Sequence, residues 1–244
     1  MKSPVLSLST GLLLALCLPT MAATYSGNGN SGFGGPIGLG SLTFTDDGTT
    51  VFGQVNKGPN SFNDVLVIYI DSTVGGFGTT SGFADSGDGL RKAISGFDGG
   101  ANRSTLTMAG GFLPDYAIAL GPASDNFGGL WQLGNGGANS LGFINSVNLN
   151  PTGNANSPTY TFSFNVSQLG LTPGSGATFS IFATYISNSG FRSDECMAGN
   201  AVGAQGWNPF TQTTFSSYTI VPEPSTAAFA GIAGLGLVLF RRRK

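Results

Sequence analysis

The sequence predicts an all-β fold, a single jelly-roll-like β-sandwich, on three observations. Residues 159–166 alternate Tyr160, Phe162, Phe164 and Val166 with Thr159, Thr161, Ser163 and Asn165, the period of a half-buried strand. Asp64-Val65-Leu66-Val67-Ile68-Tyr69-Ile70-Asp71 is a continuous apolar run closed by carboxylates, which suits a strand buried on both faces. Clusters such as Thr45-Asp46-Asp47-Gly48 and Asn150-Pro151-Thr152-Gly153 punctuate the apolar segments, as turns do between strands.

In chain order, strands are expected over 41–45, 50–56, 64–71, 104–108, 115–120, 129–133, 142–149, 159–166, 178–186 and 213–220. The stretch 178–186 directs Phe179, Ile181, Ala183 and Tyr185 to one face. Single helical turns are expected at 91–95 and at 167–169, the second stopped by Gly170. Residues 24–40 are rich in Gly and Asn and read as a flexible lead-in, while 150–158 and 187–211 read as long surface loops. Short strands with turn punctuation and no fixed repeat fit one sandwich rather than a solenoid.

The two ends read differently from the middle. Met1-Lys2, an apolar stretch over 5–18 and small residues at its exit form the pattern of a signal-peptide helix over residues 1–23, cut after Ala22 or Ala23. Leu14-Ala15-Leu16-Cys17 approaches a lipoprotein box but puts Leu16 where a small residue is required. At the other end, Val221-Pro222-Glu223-Pro224 precedes an uncharged apolar segment and the basic cluster Arg241, Arg242, Arg243 and Lys244. The prolines keep the tetrapeptide extended. As a transmembrane helix, 225–240 covers roughly 24 Å against a hydrocarbon core of about 30 Å, which suits a transient tether. The basic cluster would stay on the cytoplasmic side.

In that order of parts, the last 24 residues resemble the PEP-CTERM sorting signal of Gram-negative bacteria. The resemblance implies three regions: signal peptide 1–23, exported domain 24–220 and sorting segment 221–244. It implies an exosortase-type membrane peptidase as partner, a transient inner-membrane anchor, and delivery to the cell surface or extracellular matrix. In that family the system accompanies extracellular polysaccharide production. The middle is also similar to other exported proteins with this tail, in residues 64–71 with Gly75-Gly76 and in Gly111-Phe112-Leu113-Pro114-Asp115-Tyr116-Ala117. That likeness lends no activity.

Composition narrows what the middle can do. Residues 24–220 carry eleven acidic and five basic side chains, a net charge of −6, against −2 for the whole chain. An acidic domain without a basic stripe excludes nucleic acid as a partner. The chain has no histidine, which removes Ser-His-Asp and Cys-His catalysis and nearly all zinc sites. No spacing among the aspartates marks a pair set across a cleft for glycoside hydrolysis. The domain therefore reads as non-enzymatic, and a hydrolase is a third reading that would need such a pair. Once Cys17 leaves with the signal, Cys196 has no intramolecular partner. Its neighbours Asp194 and Glu195 disfavour the thiolate, which leaves a buried thiol or an intermolecular link.

Two weaker motifs complete the reading. Asp85-Ser86-Gly87-Asp88-Gly89 sets Asp85 and Asp88 in a Gly-rich loop that suits calcium, though Gly87 replaces a ligand, no glutamate closes the loop, and the same residues make ordinary turns. No other cofactor is expected. Trp207, in Gly206-Trp207-Asn208-Pro209-Phe210, either stacks on a sugar ring or packs its loop, whereas Trp131 belongs in the core. The alternative to an inert surface protein is thus a carbohydrate-binding module in a polysaccharide matrix.

Overall fold

Strands form where the sequence alternates or runs apolar between turn residues. The computed structural model describes residues 22–222 apart from 124, 135, 138 and 139. The chain order is β1 (Ala22–Ser26), β2 (Ser41–Asp46), β3 (Thr50–Asn56), β4 (Val65–Asp71), α1 (Gly89–Ser95), β5 (Leu106–Thr107), β6 (Tyr116–Gly121), β7 (Phe127–Gln132), β8 (Gly142–Ser146), β9 (Thr159–Asn165), β10 (Thr178–Ile186), β11 (Arg192–Met197), β12 (Gly199–Val202) and β13 (Phe210–Thr219). The fold is all-β. A four-stranded sheet runs β1-β2-β3-β9, and a nine-stranded sheet runs β12-β13-β10-β4-β6-β7-β8, with β11 on β10 and β5 on β13. Pairing is antiparallel except between β5 and β13.

β4 is the middle of the larger sheet and is buried on both faces, as its unbroken apolar run demands. Leu66, Ile68 and Ile70 enter the space between the two sheets, where they meet Leu42, Phe44, Val51 and Val55 from β2 and β3. Val65, Val67 and Tyr69 enter a second cluster on the far side, roofed by Leu90, Ala93 and Ile94 of α1 together with Phe83 and Phe112. Each such side chain contributes roughly 1.5–3 kcal/mol by leaving water. The Tyr69 hydroxyl is satisfied by donating to the Ile94 carbonyl at 2.6 Å, which fixes α1 over the strand. α1 begins where Asp88 caps it by accepting from the Arg91 N–H at 2.8 Å.

The inter-sheet core is aromatic. Phe44 lies edge-on to Tyr25, Phe162, Phe164 and Tyr218, with ring centroids 5.6–6.1 Å apart, the geometry favoured by ring quadrupoles. Phe162 needs Gly53, its partner across β3 and β9, because a Cβ there would run into the ring.

The alternating elements lie where the pattern puts them: 50–56 and 178–186 are β3 and β10 to the residue. The expected turns at 91–95 and 167–169 are α1 and a 3-10 turn, Val166–Leu169. Three expectations are corrected. Residues 24–40 are not a loose lead-in: they include β1 and a turn whose residues 35–38 are buried. The segment 187–211 is not one surface loop, since it contains β11 and β12. The strands expected over 104–108 and 142–149 shrink to β5 and β8. The proposed signal helix before Ala22, Glu223, Pro224, the apolar segment 225–240 and Arg241, Arg242, Arg243 and Lys244 lie outside the described residues. Among the described residues no helix is long and apolar enough to cross a membrane.

Gly53→Ala forces a methyl against Phe162 and should lower the unfolding free energy by about 1–3 kcal/mol, the usual range for overpacking, in a urea titration.

Candidate functional site

The last described residues lie beside a buried carboxylate. Asp46 ends β2 and is 2% exposed. Its Oδ1 accepts the Gly48 N–H at 2.8 Å and the Val221 N–H at 2.9 Å, and its Oδ2 accepts the Tyr218 hydroxyl at 2.5 Å. Burial and this carboxylate together hold the Tyr218 phenol above its ordinary pKa. Of the tetrapeptide expected to be a sorting motif, Val221 is thus half-buried and pinned, while Pro222 is exposed. The proposed cleavage residues Ala22 and Ala23 stand nearby: they pair with Thr45 and Phe44 as the first residues of β1.

A second carboxylate organises the opposite end of β2. Glu195 on β11 is fully buried. Its Oε1 accepts N–H groups from Phe33 (2.6 Å) and Gly35 (3.2 Å), and its Oε2 those from Ile37 and Gly38 (both 3.0 Å). Gly34 and Gly35 at φ 103° and 82° let the backbone curl so that these donors converge, a nest built for an anion. Asn28 and Asn30 add side-chain amides to the Asp194 carbonyl at 2.8 and 3.0 Å. Cys196 follows at 1% exposure, and burial pushes its thiol up to about 12, so a buried inert thiol is its state.

Asp85 and Asp88 do come together, but around a guanidinium. Arg91 Nε lies 3.2 Å from Asp85, and its Nη1 meets Asp88. Asp85 also accepts the Gly87 and Leu141 N–H groups at 2.9 and 3.0 Å, and Asp88 caps α1. Turn and cap chemistry therefore accounts for both carboxylates where a calcium loop was the candidate. Among the described residues no three His, Cys, Asp or Glu side chains gather to hold a metal. Two further aspartates tie the end of β4 to the segment that leads into β6. Asp71 accepts the Leu113 N–H at 3.1 Å, and Asp115 accepts those of Ser72 and Thr73 at 3.1 and 2.9 Å.

The aromatics separate in the same way. Trp131 is buried at 1% exposure, with Arg91 over its ring at 5.9 Å. Trp207 is half-buried and lies edge-on to Phe191 at 5.8 Å, which stacks on Phe33 at 5.9 Å; packing of this loop employs the indole. Several exposed rings escaped the sequence reading, among them Phe52, Phe143 and Phe215. Phe52 on β3 is 46% exposed, at the side of a groove of about 310 Å³ on the outer face of the four-stranded sheet. Thr43, Thr45, Gln54, Thr161 and Ser163 line it with hydroxyls and an amide. A large aromatic among the outward, polar positions of an alternating strand was the available signal.

Glu195→Ala leaves four N–H donors, three of them buried, without an acceptor and should cost at least about 3 kcal/mol in chemical denaturation, with Glu195→Gln intermediate. The Cys196 thiol should resist a disulfide reagent at pH 8 in the native protein and react stoichiometrically in guanidinium, because burial keeps it protonated and covered. Comparison with protein-family models, with curated proteins and with solved structures finds no match for the chain.

Proposed function

We propose that this is an exported bacterial protein, a jelly-roll-like sandwich between a signal helix and a transmembrane helix, sorted through Val221-Pro222-Glu223-Pro224 to the cell surface or extracellular matrix. An exosortase-type peptidase is its partner while the apolar segment and the basic cluster Arg241–Lys244 tether it in the inner membrane. The observation that carries the reading is the point of exit. Among the described residues the last backbone anchor is the Val221 N–H on Asp46, and Pro222, the first residue of the Pro-Glu-Pro strip, is exposed, as a processing peptidase would require. A non-enzymatic core is supported by the absence of histidine from the chain and by the use of Asp46, Asp71, Asp85, Asp88, Asp115 and Glu195 as acceptors for backbone N–H groups.

A second reading, a polysaccharide-binding core, is favoured by the uncharged groove beside Phe52. The sorting reading is tested in a host that carries an exosortase. Replacing Pro222, Glu223 and Pro224 by alanine should leave the chain at its unprocessed mass and in the membrane fraction, whereas the wild type loses the tail. Identical processing of the two would falsify it.

A further inference from the structure

We propose that the core holds an uncharged glycan chain in the groove of the four-stranded sheet, with Phe52 as its stacking platform; the inference rests on the polysaccharide-binding reading above and gives it a site and a ligand class. The pairing register sets the outward side chains in rows across the strands. Ala22, Thr45, Phe52 and Ser163 form one row, and Thr24, Thr43, Gln54 and Thr161 the next. Neighbouring strands lie about 4.8 Å apart, so an extended polymer laid along a row meets a new side chain at each strand. A neutral sugar chain offers the matching surface, an apolar C–H ring face bordered by hydroxyls. Phe52 supplies a flat ring beneath such a face. Each Thr or Ser hydroxyl can donate and accept, and the Gln54 and Asn148 amides do both with separate atoms. The Thr45 and Ser163 hydroxyls and the Asn148 amide have no side-chain hydrogen bond among the described residues, so binding a sugar breaks none of their contacts.

The same residues argue against other occupants. No lining side chain is charged, so nothing would neutralise a carboxylate, sulfate or phosphate. The −6 charge of residues 24–220 repels an anionic polymer besides. Six of the nine lining residues carry a hydroxyl or an amide, so an occupant has to offer hydrogen-bonding groups as well as an apolar face. At about 310 Å³ the groove stands at the small end of ligand clefts, room for a ring or two of a longer chain. The Trp207 cluster is the rival platform, but its indole is half-buried against Phe191.

Affinity electrophoresis of the purified full chain tests this, in a polyoxyethylene detergent without a sugar headgroup. Native gels contain hydroxyethylcellulose, galactomannan or dextran, with alginate as the anionic comparison. The wild type should be retarded by at least one neutral glycan and not by alginate. Phe52→Ala should weaken that retardation at least tenfold in apparent affinity, Phe52→Trp should keep it, and Thr161→Arg, which fills the groove while leaving the platform, should abolish it. Phe52 and Thr161 are exposed, so circular dichroism should match the wild type in all three. Retardation that survives Phe52→Ala and Thr161→Arg but is lost in Trp207→Ala overturns the groove and leaves the polysaccharide reading standing. No retardation by any neutral glycan overturns both, and preference for alginate overturns the neutral class.

Discussion

Two buried carboxylates, one at each end of β2, tie the sheets to each other, and Glu195 is the one on which the most backbone depends. It sits on β11 in the larger sheet, while its four N–H donors belong to the connection from β1 to β2 in the smaller one. At the other end Asp46 of β2 reaches across to Tyr218 of β13 and to Val221. Apolar packing between the sheets is non-directional and would tolerate sliding. The two carboxylates fix where one sheet stands on the other, because a buried anion with its donors misplaced costs several kcal/mol.

This use of acids explains a composition that otherwise reads as wasteful. A Gly-rich chain has short turns whose N–H groups find no helical partners, and buried N–H groups must be satisfied. Asp46, Asp47, Asp71, Asp85, Asp98 and Asp115 each accept from such turn amides. At Asp47 and Asp98 these bonds hold the carboxyl below its ordinary range, with the Thr50 and Gly100 amides the largest causes. The acidic balance is therefore a property of how turns are closed. It leaves the outer face of the four-stranded sheet neutral, since the strands there alternate apolar residues with Thr, Ser, Asn and Gln.

What could be read in the sequence followed from periodicity. β3, β9 and β10 alternate, β4 runs apolar, and Gly170 stops the turn before it. β11 was illegible because Arg192-Ser193-Asp194-Glu195 is as polar as a loop, yet Arg192, Ser193 and Glu195 are fully buried. The segment around Gly34 and Gly35 looked like a linker for a related reason: the group that orders it lies 157–162 residues away. A local window carries no trace of such a partner. The carboxylates at Asp85 and Asp88 were legible as a cluster but not as a cap, since Arg91, which decides between the two chemistries, stands outside the loop pattern. Beyond being a large aromatic at an outward position, Phe52 carries no local signal of its own, because alternation in β3 marks only the inward Val51, Gly53 and Val55.

Both ends of the described chain meet at one pole of the body. Ala22 pairs with Thr45, next to Asp46, and Asp46 holds Val221. Ala22, Ala23, Ser217, Tyr218 and Thr219 line a common surface depression of about 200 Å³ there. Chain ends that emerge together allow segments to be added or removed at both without unpicking the interior. That arrangement suits a body handled from its ends. Among the described residues the donors at Asp46 and Glu195 lie between Phe33 and Val221, clear of a cut after Ala22 or Ala23 and of one beyond Pro222. The groove beside Phe52 opens on the face of β3 opposite its core-facing side chains, where Phe52 is 46% exposed.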